Sequence, residues 1–397
     1  MQQLDSIKKY EAVFARRLGV PHAFSFYKGR VALYAILKAL EVSEGDYVIF
    51  PGFTCIMVPN AAVYLGARPV YVDIEPYNYN MDVSNLEKVL LRMTSAEIKK
   101  TKAIVVQHTF GIPAEMDAVM DVAARYQIPV IEDCAHALGS RYAGRHVGTF
   151  GVASFFSSQW SKPYCTGLGG MAITADPVLA TKIRIIQSSF TRPSRVESGV
   201  LGFQIYLHQK FFSPSLYWTS MGALRAFSAA GIFIGSSSKS EHAGERPEGY
   251  EKVMGDNQAA AGIEAIASLD KSIVRRKKLA AFYSGELGAG RGGLWLDNKK
   301  ETVLLRYPVM VEDKDAILAE ARRKRAEIGS WFETVLHPAI TGLDKARYRV
   351  GSCPVGENTA RHIVNLPTHS KVGQEDAKKS LMIISGRLMQ NKKEVLP

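Results

Sequence analysis

The sequence predicts an α/β protein: a mostly parallel central sheet flanked by helices, with a smaller α+β part at its C-terminal end. Three observations predict it. From residue 29 to about 190, helix-length stretches with apolar residues at three- and four-residue spacing alternate with short apolar runs. Turn-forming residues bound those runs, and the helical stretches are long enough to cross between parallel strands. Beyond residue 253 the order changes to two successive helical stretches, then a strand-like VLLRYPVMV set among helices.

The elements follow in order. The opening segment, MQQLDSIKKYEAVFARRLGV, is amphipathic and charged and lacks the apolar core of a secretory leader. Residues 30–40 have helical spacing, and 47–50 form an apolar run that stops at Pro51-Gly52. Residues 54–65 read as helix, 69–72 as strand, 82–91 as helix and 103–107 as strand. A helix over 114–126 and strands over 129–131, 153–156 and 171–174 complete the alternating region. Residues 191–249 break the pattern, with two uncharged stretches inside 211–238 split by Arg225. Each stretch is shorter than the roughly 20 apolar residues a membrane-spanning helix needs. Helices are expected within 253–288, near 313–326 and near 374–390. The expected division is a large α/β domain over 1–250, including the insertion at about 195–245, and a smaller α+β domain over 251–397.

Composition narrows the function. The chain has 397 residues, 47% hydrophobic and 22% charged, as in ordinary globular proteins. Its cysteines, Cys55, Cys134, Cys165 and Cys353, are scattered without metal-ligand spacing, which argues against a zinc site or a disulfide framework and suits a reducing cytosol. The net charge of +12 favours anionic partners. Basic residues are dispersed and no nucleic-acid motif is present, so acidic small molecules are expected rather than nucleic acid.

The densest chemical signal is Val130-Ile131-Glu132-Asp133-Cys134-Ala135-His136, where a strand ends on an acidic residue. It is followed by Ser157-Ser158-Gln159-Trp160-Ser161-Lys162, just past another strand and just before Gly167-Leu168-Gly169-Gly170. In open α/β sheets ligands bind beyond the carboxyl ends of strands. A lysine there can form an imine with an aldehyde cofactor, and a carboxylate can pair with a pyridine nitrogen. Read from the residues alone, the plainer assignments stand beside these: a solvated lysine and a turn-forming aspartate.

The stretches GRVALYAILKAL, GDYVIFPGFTCIMVPNAAVYLGARPVYVDIEP, TKAIVVQHTFGIPAEMDAVMDVA, PVIEDCAHALGSRYAGRHVGTFG and FFSSQWSKPYCTGLGGMAIT resemble, in order and spacing, the DegT/DnrJ/EryC1/StrS family of sugar aminotransferases. That resemblance implies the fold of the type I pyridoxal-phosphate transferases and pyridoxal 5'-phosphate as cofactor. It implies that Lys162 holds the Schiff-base lysine position and Asp133 the position pairing with the pyridine nitrogen. It puts His136 beside the cofactor ring, and Ser157 with Gly29 and Arg30 around the phosphate. An amino-acid donor, usually L-glutamate, a keto-sugar acceptor and a homodimer are implied with them.

Departures from the family pattern qualify those expectations. Arg30 replaces a small hydroxyl residue, and its positive charge could still serve a phosphate; the plain alternative is an exposed arginine at a helix start. Cys55 stands where many relatives place an aromatic residue that stacks on the pyridine ring, and its plain reading is a packing cysteine. Glu251 replaces an asparagine that reaches the phosphate of the neighbouring subunit, and a carboxylate there would repel it. Two other functions are therefore weighed: a lipid-linked or other non-sugar keto substrate, and a regulatory relative without catalysis. The 211–238 insertion reads either as a helical hairpin packed on the body or as a shallow membrane contact from a cytoplasmic protein.

Overall fold

The computed structural model describes residues 3–211, 233–288, 294, 299–338 and 343–389. In chain order its strands are β1 (His22–Phe26), β2 (Tyr47–Pro51), β3 (Thr54–Cys55), β4 (Arg68–Val72), β5 (Thr101–Gln107), β6 (Val130–Asp133), β7 (Arg141–Tyr142), β8 (Arg145–His146), β9 (Ala153–Ser157) and β10 (Gly170–Thr174). β11 (Lys300–Glu301), β12 (Arg306–Met310), β13 (Leu336–His337) and β14 (Ile363–Pro367) follow. The first eight helices are α1 (Gln3–Leu18), α2 (Gly29–Ala39), α3 (Met57–Val63), α4 (Val83–Arg92), α5 (Ser95–Lys99), α6 (Met116–Tyr126), α7 (Pro177–Ser189) and α8 (Arg195–Phe211).

Seven strands form the central sheet in the order β1-β10-β9-β6-β5-β2-β4. Only β10 runs against the others, pairing antiparallel with both β1 and β9. The carboxyl ends of β1, β5, β6 and β9 therefore open on one edge, the place expected for a ligand. The register aligns Gln107 with Asp133, Asp133 with Phe155, Ser157 with Gly170, and Gly170 with Phe26.

Strand alternation sorts the core onto two faces. Ile104, Val106 and Val130 join a cluster with Phe14 of α1, Leu86 of α4 and Val119 of α6. Val105, Ile131 and Phe155 face the other way, towards Leu33 of α2, Ala61 of α3 and Ile183 of α7. A third cluster surrounds the antiparallel β12–β14 pair. The helix Asp256–Ala267 packs on α1 and contributes Ala259 and Ile266 to the first cluster.

Two local expectations fail for long-range reasons. Residues 54–65 are not one helix: Thr54 and Cys55 form a strand pairing in parallel with Leu336 and His337, and α3 begins only at Met57. β1 was not foreseen; it becomes a strand because β10 offers it an antiparallel edge. Residues 212–232 of the apolar insertion, weighed above as hairpin or membrane contact, lie outside the described residues. No described helix is long and apolar enough to cross a membrane.

β6 owes its placement to Glu132, which is fully buried. Its carboxylate accepts hydrogen bonds from the backbone N–H groups of Gly148, Phe150 and Gly151 at 2.6, 2.7 and 2.9 Å, and meets His108 Nε2 at 3.0 Å. His108 Nδ1 accepts from Ala114 N–H at 3.0 Å, so Nε2 carries the proton and donates to Glu132. Glu132→Ala would leave those donors without an acceptor, and buried unsatisfied donors cost about 1–3 kcal/mol each. The expected loss is at least ~3 kcal/mol, read as a lower denaturant midpoint at unchanged slope; an unchanged midpoint would refute this role.

Candidate active site

The site is assembled at the carboxyl edge of the sheet. Because successive residues of a strand face opposite ways, fixing Glu132 on one face turns Asp133 to the other. Asp133 is buried, and its Oδ1 accepts from Ala135 N–H at 2.9 Å. Burial pushes its carboxyl up to about 6, against the pull of the Ala135 N–H and the charge of Lys162.

Lys162 rides on the loop between β9 and β10. That loop is closed by Ser158 N–H to Gly169 O at 3.0 Å, Thr166 N–H to Ser158 O at 2.8 Å and Ser158 Oγ to Thr166 Oγ1 at 2.7 Å. Within it Lys162 N–H donates to Gln159 O at 2.9 Å, and Tyr164 is held by the Tyr10 hydroxyl at 3.1 Å. The Lys162 amine lies deep in the fold yet is still reached by solvent. Among the described residues no side-chain acceptor pairs with it; Nζ sits 5.0 Å from the centroid of the Trp331 ring. Burial lowers its pKa to about 8; Cys55 and Asp133 oppose that fall, while Arg306 and Arg30 add to it. Lys162 thus feels the charges of Cys55, Asp133 and Arg30, and Cys55 feels those of the other three.

Gly29 opens α2 against the end of β9. A Cβ there would stand 2.9 Å from Ser157 Cβ and 3.1 Å from Phe156 O, so only glycine permits this approach. α2 has no side-chain cap and no acidic residue in its first turn, which leaves N–H groups at its start for an anion. The Ser157 hydroxyl lies beside them and has no protein partner among the described residues. His136 is buried and neutral: Phe110 N–H donates to its Nδ1 at 3.2 Å, and burial, then the Lys162 charge, holds its pKa well below the usual range. Its ring lies nearly parallel to those of Phe110 and Trp331, with centroids 6.2 and 5.8 Å away.

Arg30 is not the exposed residue of the plain alternative, nor is its charge free for a phosphate. It is buried, Nη1 meets Glu241 Oε1 at 2.7 Å, and Nη2 binds Ser236 O. Lys28 Nζ lies 3.7 Å from the other oxygen of Glu241, which is itself only 1% exposed. Glu251 turns away to take the Tyr34 hydroxyl at 2.7 Å, and Lys252 pairs with Glu197 at 2.9 Å. Cys55 is half-buried on β3 in register with His337, and burial pushes its thiol up. Sequence reasoning missed Lys28, Glu241 and Arg306; Glu241 lay in a stretch read as polar linker, and no local signal marked it. His108, Glu132 and Cys134 bring one ligand atom each within 4.8 Å of one another, but Glu132 is already filled by four donors.

A model of the DegT/DnrJ/EryC1/StrS aminotransferase family matches residues 2–209 and 219–384. The chain belongs to that family. It is 27% identical over 385 residues to a GDP-perosamine synthase of Caulobacter vibrioides, covering 93% of this chain and 86% of that one. It is 29% identical over 370 residues to a UDP-2-acetamido-2-deoxy-3-oxo-D-glucuronate aminotransferase of Pseudomonas aeruginosa, covering 91% and 85%. The S. venezuelae DesV structure, in complex with a ketimine intermediate, superposes with a TM-score of 0.72 at 25% identity, covering 96% of this chain and 88% of DesV. This chain is accordingly a pyridoxal-phosphate-dependent aminotransferase with the type I fold. Its donor set fits that cofactor: free N–H groups and a hydroxyl for a phosphate, a carboxylate in a dry pocket for a ring nitrogen, and an unpaired amine for an aldehyde.

Two outcomes follow from this site. Replacing Arg30 with the family's small hydroxyl, Arg30→Ser, strands Glu241 and should destabilise the fold by about 3 kcal/mol in chemical denaturation. Adding Glu241→Gln should recover at least half of that loss; no recovery would refute the pairing. For Lys162 the neutral amine is the reactive form, so its labelling by an acylating reagent should rise with pH through about 8 in the cofactor-free protein. A midpoint near the ~10.4 of a free lysine would refute the pocket's effect.

Proposed function

We propose that this aminotransferase moves an amino group from an amino acid, with L-glutamate as the expected donor, to a keto sugar carried on a nucleotide, in the assembly of a polysaccharide or other glycan. The observation that carries the reading is Lys162: an amine of lowered pKa with no side-chain acceptor among the described residues, close enough to the buried carboxylate of Asp133 to feel its charge. The printed activities of the Caulobacter and Pseudomonas relatives support a sugar nucleotide as acceptor, and the net charge of +12 suits a diphosphate-bearing substrate.

In this reading the N–H groups at the start of α2 and the Ser157 hydroxyl hold the phosphate of the cofactor. Asp133 holds the proton of its ring nitrogen, and His136 lines the ring. When bound, pyridoxal phosphate supplies an electron sink for the pair left behind as a proton departs from the amino-bearing carbon. Lys162 Nζ takes that proton and returns one in the reverse half of the cycle; a pKa near 8 suits both tasks near neutral pH. Cys55 packs against this pocket without stacking. We also infer a homodimer, supported by the exposed apolar stripe of Val196, Phe203 and Tyr206 along α8.

Lys162→Ala should abolish both the absorbance of the bound cofactor's lysine linkage and its bleaching by L-glutamate. Turnover retained in that variant would overturn the assignment.

A further inference from the structure

Arg306, the first residue of β12, has no counterion among the described residues. Among the described residues it enters no ion pair and donates no side-chain hydrogen bond, and its Nε is buried without a partner. Arg276 has a buried, unpartnered Nε as well, and differs in its Nη1, which donates to Leu304 O, Leu305 O and Thr368 Oγ1 at 3.3, 2.9 and 3.0 Å. Arg306 has no such set of acceptors. The carboxylate that feels its charge, Glu327, is held by His369 at 2.9 and 3.0 Å.

Its position is built. The guanidinium carbon lies 4.8 Å from the centroid of the Trp331 ring. Gly329 makes room for it, since a Cβ there would come within 2.6 Å of Arg306 Nη1. The same indole carries Lys162 Nζ at 5.0 Å. Both cations therefore lie close to one ring, and their separation cannot exceed the sum of those distances, the span of a small dicarboxylate with its hydrogen bonds. The Arg306 charge is also felt at Lys162 and His136.

We propose that Arg306 binds an anionic group of the substrate, and we assign that group to a carboxylate of the amino donor. The proposal rests on the aminotransferase reading above. A planar guanidinium grips two coplanar oxygens at once, which a carboxylate supplies. A donor that brings its nitrogen to Lys162 carries such a group within reach, and among the described residues no carboxylate pairs with the arginine. The diphosphate of the acceptor offers similar charge and is the rival source.

The test uses the full chain loaded with pyridoxal phosphate, as wild type, Arg306→Gln and Arg306→Lys. The half-reaction is followed with L-glutamate, and the cofactor-free protein is titrated with glutarate by tryptophan fluorescence. Loss of one charge-assisted bidentate contact should raise the half-saturating glutamate concentration about 30–100-fold in Arg306→Gln, with the limiting rate changed less than about threefold. Arg306→Lys should recover part of that loss. Glutarate should alter emission in wild type but not in Arg306→Gln, and Trp331→Phe should abolish the response. Inhibition of the half-reaction by GDP or UDP should survive the Arg306 substitutions. If instead only that inhibition is lost, the carboxylate assignment is overturned in favour of the diphosphate. If glutamate saturation and the glutarate response both match wild type, the proposal is overturned altogether. A wild-type protein that never reacts with L-glutamate but still responds to glutarate would overturn the choice of donor instead, leaving the anion site standing.

Discussion

The Glu132 carboxylate is the constraint on which the site depends. One buried anion gathers three backbone N–H groups from the 148–151 loop and the imidazole of His108. It thereby ties the carboxyl end of β6 to the approach of β9 and to the residue that follows β5. The pleat does the rest. With Glu132 held on one face, the next side chain has no choice but the other, and Asp133 enters the pocket that Lys162 shares. A charge of one residue thus fixes the direction of its neighbour without touching it.

The buried cations discussed above are held in three ways. Arg30 is saturated by Glu241 and serves to dock the segment 236–242 on the start of α2. Arg276 gives its Nη1 to two backbone carbonyls and a threonine, and helps to hold β12 in place. Among the described residues Lys162 and Arg306 have no such partners, and both lie near one indole. An unsatisfied buried donor is costly, so proteins keep few of them. Those beside the reactive lysine are the ones a substrate can satisfy. The distinction between structural and functional arginines therefore comes from counting acceptors, since charge alone is the same in all three.

Replacement of the usual aromatic residue by Cys55 fits the same architecture. Cys55 lies on a two-residue strand paired with Leu336 and His337, which brings the C-terminal segment to the pocket. That segment carries Trp331, whose ring lies nearly parallel to His136. Aromatic surface missing at position 55 is supplied beside Lys162 by Trp331, on a part of the chain far away in sequence.

The order of strands and helices, the parallel sheet and the stretches containing Asp133, Ser157, Lys162 and Gly29 were legible in the sequence. Each depends on short-range rules: apolar periodicity, turn residues, and motifs within a few positions of one another. The helix expected over 54–65 failed at its start because β13 supplied a ladder to Thr54 and Cys55. Arg30 read as a free charge because Glu241, its partner, is separated from it by most of the large sheet. Arg306 gave no signal, since its meaning lies in the absence of an acceptor, and absence can be judged only when the surroundings are known. What the sequence determined alone was local chemistry and local geometry. Which charges are neutralised and which are left open was decided by packing, because an ion pair forms between surfaces that only the folded chain brings together.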